Sequence, residues 1–217
     1  MQSIAILPAA GRSMRVGRPK LLLPWGRTTL VEHVLATWRA SQVEHVIVVT
    51  HPDDQELADI CNAAGADVVR AEHPPADMKA SVRLGLAYAR QKYQPCPDDA
   101  WLLAPADMPL IETVVIDELL RQHATAPAKV HIPTFDGRRG HPIVLPWNLA
   151  SEVLGTEANA GALPLPEGRG IDALLALAPS VEVAVTSSGI LEDVDTRQDY
   201  ERLLRQDRPN DSGAETK

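Results

Sequence analysis

The sequence predicts an α/β protein built around a mainly parallel β-sheet. Short β-branched or apolar runs alternate with longer segments of helical periodicity over the first half of the chain. Strand, helix, strand in regular succession is the pattern of a parallel sheet with right-handed crossovers. The chain has 217 residues and shows no shift in composition that would mark a second domain. A single domain of the larger α/β kind therefore fits both its length and its pattern.

The predicted strands are short and are bounded by polar or turn-forming residues. The first of them, Ile4 to Leu7, leads directly into a loop rich in small and basic residues. The others cover His45 to Thr50, Asp67 to Arg70, Ala100 to Ala104, Lys129 to Thr134, Ile143 to Leu145 and Val181 to Val185.

Helices are predicted between these strands from capping patterns and periodic apolar residues. Thr29 and Glu32 form a Ser/Thr-x-x-Glu pattern at the start of a helix that runs to about Arg39. Further helices are expected from Asp53 to near Gly65, from Met78, from Glu112, from Gly170 to Leu177 and from Thr196.

One domain is expected over residues 1–205. Residues 155–168 are rich in Gly, Pro and Ala without periodicity, which is consistent with a long loop over the site. Residues 206–217 are polar and contain Pro, Gly, Ser and Asn, so we expect a disordered tail.

Composition limits the partners and the compartment. The formal net charge of −8 argues against a general binder of nucleic acid or membrane surfaces, so any anion site must be a local basic pocket. The chain shows no signal-peptide pattern and no apolar run of membrane-spanning length, and we expect a cytoplasmic protein. Cys61 and Cys96 lack the spacing of a redox or zinc motif, and they are expected to be thiols without assigned chemistry.

The loop after the first strand is the strongest candidate for an active site. Ala9, Ala10 and Gly11 leave room for backbone amides to approach a ligand closely. The loop carries four positive charges in nine residues: Arg12, Arg15, Arg18 and Lys20. A polyanion such as a nucleoside triphosphate fits this combination, although neither the P-loop nor the G-x-G-x-x-G spacing is present.

This loop resembles the signature of the MobA-like nucleotidyltransferases, which serve molybdenum cofactor biosynthesis. That signature reads roughly [LP]-A-[AG]-G-x-S-x-R-M-G-x-x-K after the first strand. The matching residues are Ala9, Ala10, Gly11, Ser13, Arg15, Gly17 and Lys20, while Val16 stands where the family usually has Met. A solvated surface loop is the ordinary alternative.

Further motifs of the family follow in the same order along the chain. Ser81 resembles a serine beside the nucleotide, Asp107-Met-Pro resembles a metal motif, and Asp195-Thr resembles a second aspartate near the metal. Gly140-His141-Pro resembles the cytidylyltransferase branch, on the acceptor side. The ordinary alternatives are a helix cap for Ser81, turn or helix-entry roles for the aspartates and an exposed turn for His141.

The resemblance implies a three-layer α/β/α, Rossmann-like fold and transfer of CMP from CTP to molybdopterin with release of pyrophosphate. Lys20, Arg15 and Asp107 are then catalytic, Asp107 and Asp195 hold Mg²⁺, and His141 with Gly140 contacts the acceptor. The implied nucleotide-binding residues are Leu7, Ala9, Ala10, Gly11, Arg12, Ser13, Lys20 and Ser81.

Three alternatives remain open at this stage. The same fold and loop serve guanylyl transfer to molybdopterin and nucleotidyl transfer to sugar phosphates. A non-catalytic chaperone that holds the cofactor for a molybdoenzyme is a reading of another class. An apo-molybdoenzyme is a further candidate partner in either case.

Overall fold

The computed structural model describes residues 1–11, 19–155, 175 and 178–207. The strands are β1 (Ser3–Ala9), β2 (Pro24–Trp25), β3 (Thr28–Thr29), β4 (His45–Thr50), β5 (Asp67–Arg70), β6 (Ala100–Leu103), β7 (Val130–Phe135), β8 (Arg138–Arg139), β9 (Ile143–Pro146) and β10 (Ser180–Ala184). The main sheet has the strand order β5-β4-β1-β6-β9-β7-β10, with β8 paired to β7. β2 and β3 form a separate hairpin. The helices are α1 (Leu30–Ala40), α2 (Gln55–Ala63), α3 (Met78–Tyr93), α4 (Thr113–Thr125), α5 (Ala150–Leu154) and α6 (Arg197–Asp207).

The sheet is mainly parallel, as predicted. β1 pairs in parallel with β4 on one side and with β6 on the other, and β4 pairs in parallel with β5. β9 is inserted between β6 and β7 and runs antiparallel to both. The mixed character of the sheet comes from this strand and from the short β8.

Two apolar cores cover the two faces of the sheet, which makes the predicted three layers. Alternation along β1 sends Leu7 to the face covered by α1, α2, α4 and α6, and Ile6 to the face covered by α3 and α5. Gly85 allows α3 to approach the sheet closely, since a Cβ there would lie 2.8 Å from Cγ2 of Ile6. The apolar stripe of α3 is therefore core packing.

The capping prediction for α1 is confirmed. The Thr29 hydroxyl accepts from the Glu32 amide at 3.4 Å, and the Glu32 carboxylate accepts from the Thr29 amide at 2.7 Å. The boundaries predicted for the second and third strands in chain order also agree with β4 and β5. These segments are fixed by local patterns, which is why the sequence alone identifies them.

The C-terminal helix extends two residues past the predicted domain end at 205. The Trp25 indole donates to the Asp207 carboxylate at 2.7 Å, and the Tyr200 hydroxyl donates to the Pro24 carbonyl. These contacts hold α6 against the β2–β3 hairpin. The sequence did not predict this hairpin, because strands of two residues show no hydrophobic periodicity. Most of the predicted helix over 170–177, most of the predicted 155–168 loop and the tail beyond Asp207 lie outside the described residues. Within the described chain, no helix is long and apolar enough to cross a membrane.

Candidate active site

The candidate site lies where the strand order reverses. After β1 the chain passes to β4 on one side and later returns to β6 on the other, so the carboxyl ends of β1 and β6 form a topological switch point. A cleft of about 880 Å³ opens there. It is lined by residues 8–11, 19–21, 51, 54, 57, 74–78, 81 and 105–107.

Lys20 joins two aspartates at one end of this cleft. Its ammonium contacts the Asp107 carboxylate directly and lies 3.3 Å from Oδ1 of Asp195. Burial alone would lower the pKa of Lys20, but the charges of Asp107 and Asp195 and hydrogen bonds to them outweigh burial and raise it. The ammonium is therefore fully charged at neutral pH. Lys20 and Asp195 are 175 positions apart in the sequence, and the structure brings both of them to Asp107.

Backbone contacts explain why Asp107 and Asp195 meet. Asp107 follows β6 after a short turn, and its carbonyl accepts from the Val194 amide at 3.0 Å. The segment before α6 is thereby fixed beside the Asp107 turn. Asp193 belongs to the same segment, and its pKa is raised by burial and then by the charges of Asp195 and Asp107. The sequence reasoning assigned Asp193 no role, although its spacing of two from Asp195 was a usable signal.

The donor set at this end suits a hard cation. Oδ1 of Asp107 is buried and has no hydrogen-bond partner among the described residues, so one carboxylate oxygen is available as a ligand. The described residues contain no group of three or more His, Cys, Asp or Glu arranged to hold a metal. Mg²⁺ commonly uses one or two carboxylates and completes its shell with water and substrate phosphates, so a pair of aspartates is sufficient.

The other end of the cleft lies beyond β4 and β5 and combines apolar and polar residues. Leu57 and the segment Pro74–Met78 supply the apolar part, while Asp54 and Asp77 also line the cleft there. Ser81 lines the cleft but is 4% exposed, and its hydroxyl donates to the Asp77 carbonyl at 3.4 Å. The sequence analysis missed His51, which also lines this end. Its signal was its position directly after a buried strand, the same argument that selected Asp107.

Ala9, Ala10 and Gly11 line the cleft, and their nucleotide-binding role stays a prediction. Leu7 does not: it is fully buried in the core below, because strand alternation turns its side chain away from the cleft, and Pro8 lines the wall instead. Arg12, Ser13 and Arg15 lie outside the described residues, so their predicted roles stay predictions.

His141 and Gly140 lie at the same edge of the sheet as Asp107, but outside the lining of the cleft. The His141 ring approaches the carbonyl of Leu103, the last residue of β6, with Nδ1 at 3.2 Å. A Cβ on Gly140 would lie 2.3 Å from the Ile190 carbonyl oxygen, and that carbonyl accepts from the His141 amide at 2.9 Å. Gly140 thus permits a close backbone approach, and the acceptor roles of both residues stay predictions.

The sequence matches the family model of the MobA-like NTP transferase domain over residues 5–174. The matched region includes all but the first two residues of β1, the strands β4, β5 and β6, and the cleft at the carboxyl edge of these strands.

Similar proteins carry more than one function in their names. The chain is 27% identical over 211 residues to a probable molybdenum cofactor guanylyltransferase of Mycobacterium avium, covering 94% of this chain and 96% of the relative. It is 28% identical over 208 residues to nicotine blue oxidoreductase of Paenarthrobacter nicotinovorans, covering 92% and 95%. The crystal structure of a manganese complex of Rv0371c from Mycobacterium tuberculosis is similar with a TM-score of 0.67 and 25% identity, covering 94% of this chain and 99% of that one.

Proposed function

Because this chain belongs to the MobA-like NTP transferase domain family, we propose that it transfers CMP from CTP to the phosphate of molybdopterin and releases pyrophosphate. One observation carries the proposal: a charged lysine held by two aspartates at the switch point of the sheet. The molybdopterin acceptor is supported by the name of the Mycobacterium avium relative.

The reaction needs alignment and charge neutralisation more than a base. An oxygen of the acceptor phosphate forms a bond to the α-phosphorus while the bond to the bridging oxygen of the β-phosphate breaks. The acceptor oxygen is already anionic, so no proton has to be removed from it. Lys20 would stabilise the negative charge that builds on the α-phosphate and on the leaving pyrophosphate.

Asp107 and Asp195 would hold a magnesium ion, which supplies positive charge to the triphosphate oxygens. The buried, unpartnered Oδ1 of Asp107 supports this assignment. The manganese complex of the similar Mycobacterium tuberculosis protein supports a divalent cation in this family. Lys20, which contacts both carboxylates in the ligand-free protein, would then be released toward the phosphates.

The choice of CTP over GTP rests on the opening loop. Ala9-Ala10-Gly11 resembles the cytidylyl branch of the family, whereas the guanylyl branch tends to have a second glycine in this loop. Ala10 lines the cleft here, which leaves less space for a purine. The named guanylyltransferase relative favours GTP as the second candidate.

Pyrophosphate release measured with molybdopterin and either CTP or GTP tests both candidates. We expect a higher kcat/KM with CTP, and we expect Ala10→Gly to shift the ratio toward GTP. A higher kcat/KM with GTP in the wild-type protein would reverse the choice of nucleotide. Tight pterin binding without pyrophosphate release from either nucleotide would instead favour a cofactor chaperone.

A further inference from the structure

A group of aromatic and charged side chains lies at the C-terminal end of α6, outside the lining of the cleft. Trp25 is 2% exposed, and its indole donates to Oδ2 of Asp207 at 2.7 Å. The Trp25 ring meets Tyr200 edge-on at a centroid distance of 5.9 Å and lies 5.6 Å from the ring of His33. We call these four residues the Trp25 cluster.

His33 connects the Trp25 cluster to the turn that carries Asp107. Its Nε2 lies 3.1 Å from the carbonyl oxygen of Pro109, two residues after Asp107. A carbonyl oxygen can only accept, so Nε2 carries a proton and donates it to Pro109. Oδ2 of Asp207 is 3.7 Å from the same nitrogen, which is beyond hydrogen-bond distance. The Asp207 carboxylate therefore serves the indole of Trp25 and leaves the His33 donor to the turn.

The segments that carry the other two charged residues of the cleft also reach the Trp25 cluster. Lys20 lies five residues before Trp25, and the Leu23 amide donates to the Lys20 carbonyl at 3.1 Å in the turn between them. Asp195 lies two residues before α6, a helix of 11 residues and thus roughly 16 Å in length, which ends at Asp207. The three segments that meet at the cleft therefore meet a second time at the Trp25 cluster.

We propose that Asp207, acting through Trp25 and His33, is a positioning residue for the lysine and the two aspartates of the cleft. Asp207 touches none of these three residues itself. Its removal frees the indole and lets the hairpin after Lys20 and the end of α6 shift against each other. A shift of about 1 Å at reacting groups can cost on the order of 10² in rate. The catalytic meaning of this inference rests on the proposed function, whereas its effect on the Lys20–Asp107 ion pair concerns the ligand-free protein.

A double-mutant cycle in metal-free buffer tests the inference without any substrate. Urea titrations give the unfolding equilibrium constant of the wild type, Lys20→Ala, Asp207→Ala and the double variant. Substitutions at sites without shared contacts usually act independently. Here the rise in the unfolding constant caused by Lys20→Ala should be smaller by on the order of fivefold in the Asp207→Ala background, because the ion pair is already misplaced there. Independent effects of the two substitutions would overturn the proposal.

Two further variants of the Trp25 cluster refine the test. Asp207→Asn keeps an oxygen that can accept from the indole, so it should restore the wild-type effect of Lys20→Ala. Trp25→Phe keeps an aromatic ring and removes the indole donor, so it remains usable if Asp207→Ala does not fold. It should weaken the effect of Lys20→Ala as Asp207→Ala does.

Trp101→Phe is the matched control for Trp25→Phe. The Trp101 indole is also buried and donates to the Pro146 carbonyl at 3.1 Å, but it lies in the core on the face of the sheet covered by α3 and α5. Both variants lose one buried hydrogen bond and should lose similar stability. Only Trp25→Phe should reduce the effect of Lys20→Ala. An equal reduction in both variants would indicate general loosening of the fold and refute the proposal.

Kinetics separate this inference from the proposed function. In the pyrophosphate-release assay, Trp25→Phe should lower kcat by on the order of tenfold, and Trp101→Phe should leave it nearly unchanged. In the Lys20→Ala background, Trp25→Phe should have little further effect on kcat. If the wild-type protein releases no pyrophosphate from any nucleotide, the proposed function fails, and the unfolding cycle still decides the role of Asp207. If the wild type turns over but the cycle shows no coupling, only the role of Asp207 fails.

Discussion

Replacing Lys20 with alanine removes the one positive charge that the described part of the cleft places against Asp107. We expect turnover to fall by on the order of 10² to 10³, the usual loss for one preorganised charge at the reacting groups. The fold should survive, because Lys20 lies in a short turn at the cleft wall and not in either apolar core.

The structure also predicts a stability effect. The Asp107 side chain is 13% exposed, so losing its partner leaves a largely desolvated carboxylate unpaired. In metal-free buffer we expect the free energy of unfolding to fall by about 1–3 kcal/mol. Mg²⁺ should restore most of it, since the two carboxylates would then have a cation in place of the ammonium.

Pyrophosphate release and denaturant unfolding with and without Mg²⁺ measure both effects. Lys92→Ala is a matched control, because it breaks a lysine–aspartate pair of 2.7 Å at the opposite edge of the sheet. With Lys92 45% exposed, the control should lose at most about 1 kcal/mol and no activity. Near-normal turnover of Lys20→Ala, or a stability loss that Mg²⁺ does not reverse, would refute the assignment of this end of the cleft.

Three further predictions concern other residues. Asp107→Asn should reduce magnesium-dependent activity more than Asp195→Asn, because the Asp107 side chain is 13% exposed and the Asp195 side chain is 56% exposed. An unchanged Mg²⁺ affinity in Asp107→Asn would mean that Asp107 only shapes the turn after β6. His141→Ala should raise the KM for molybdopterin and leave CTP affinity nearly unchanged, whereas equal losses for both would indicate a structural role. Burial, and then the charge of His123, lower the pKa of His131 to about 4. Between this pH and about 6.5, the side chain of His131 is therefore protonated in the unfolded chain and neutral in the folded protein. Unfolding free energy should therefore fall as the pH drops from about 6.5 toward 4, by about 3 kcal/mol at most, and urea titrations should show less of this dependence in His131→Phe.

The sequence predicted the segments whose local pattern and tertiary role agree. β4 and β5 are β-branched runs between turn residues, and α1 begins at a reciprocal cap, so each is recognisable without knowledge of its neighbours. The antiparallel β9 shows the limit of that reasoning. Its apolar run predicts a strand, but its direction depends on pairing with β6 and β7, which no local pattern records.

The sequence predicts residues of the candidate site only where they follow the carboxyl end of a recognisable strand. Asp107 was found by this rule together with its motif, and His51 satisfied the same rule but had no motif to draw attention to it. The hydrogen bond from the Asp53 amide to Nδ1 of His51 could not be predicted from the sequence. It depends on the turn that returns the Asp53 amide to the ring, which is a property of the folded backbone.

The charges at the end of the cleft that holds Lys20 and Asp107 bear on how a nucleotide would bind. Among the described residues there, Asp107, Asp193 and Asp195 face a single cation, Lys20, and the raised pKa of Asp193, due first to burial and then to Asp195 and Asp107, reflects this crowding. A triphosphate cannot approach three carboxylates and one ammonium without additional positive charge. We expect the arginines of residues 12–18, which lie outside the described residues, to supply part of it and a divalent cation to supply the rest. We therefore expect nucleotide and Mg²⁺ to bind with positive coupling, so that CTP affinity falls sharply when Mg²⁺ is chelated. CTP binding of equal strength with and without Mg²⁺ would mean that the loop arginines alone balance these carboxylates.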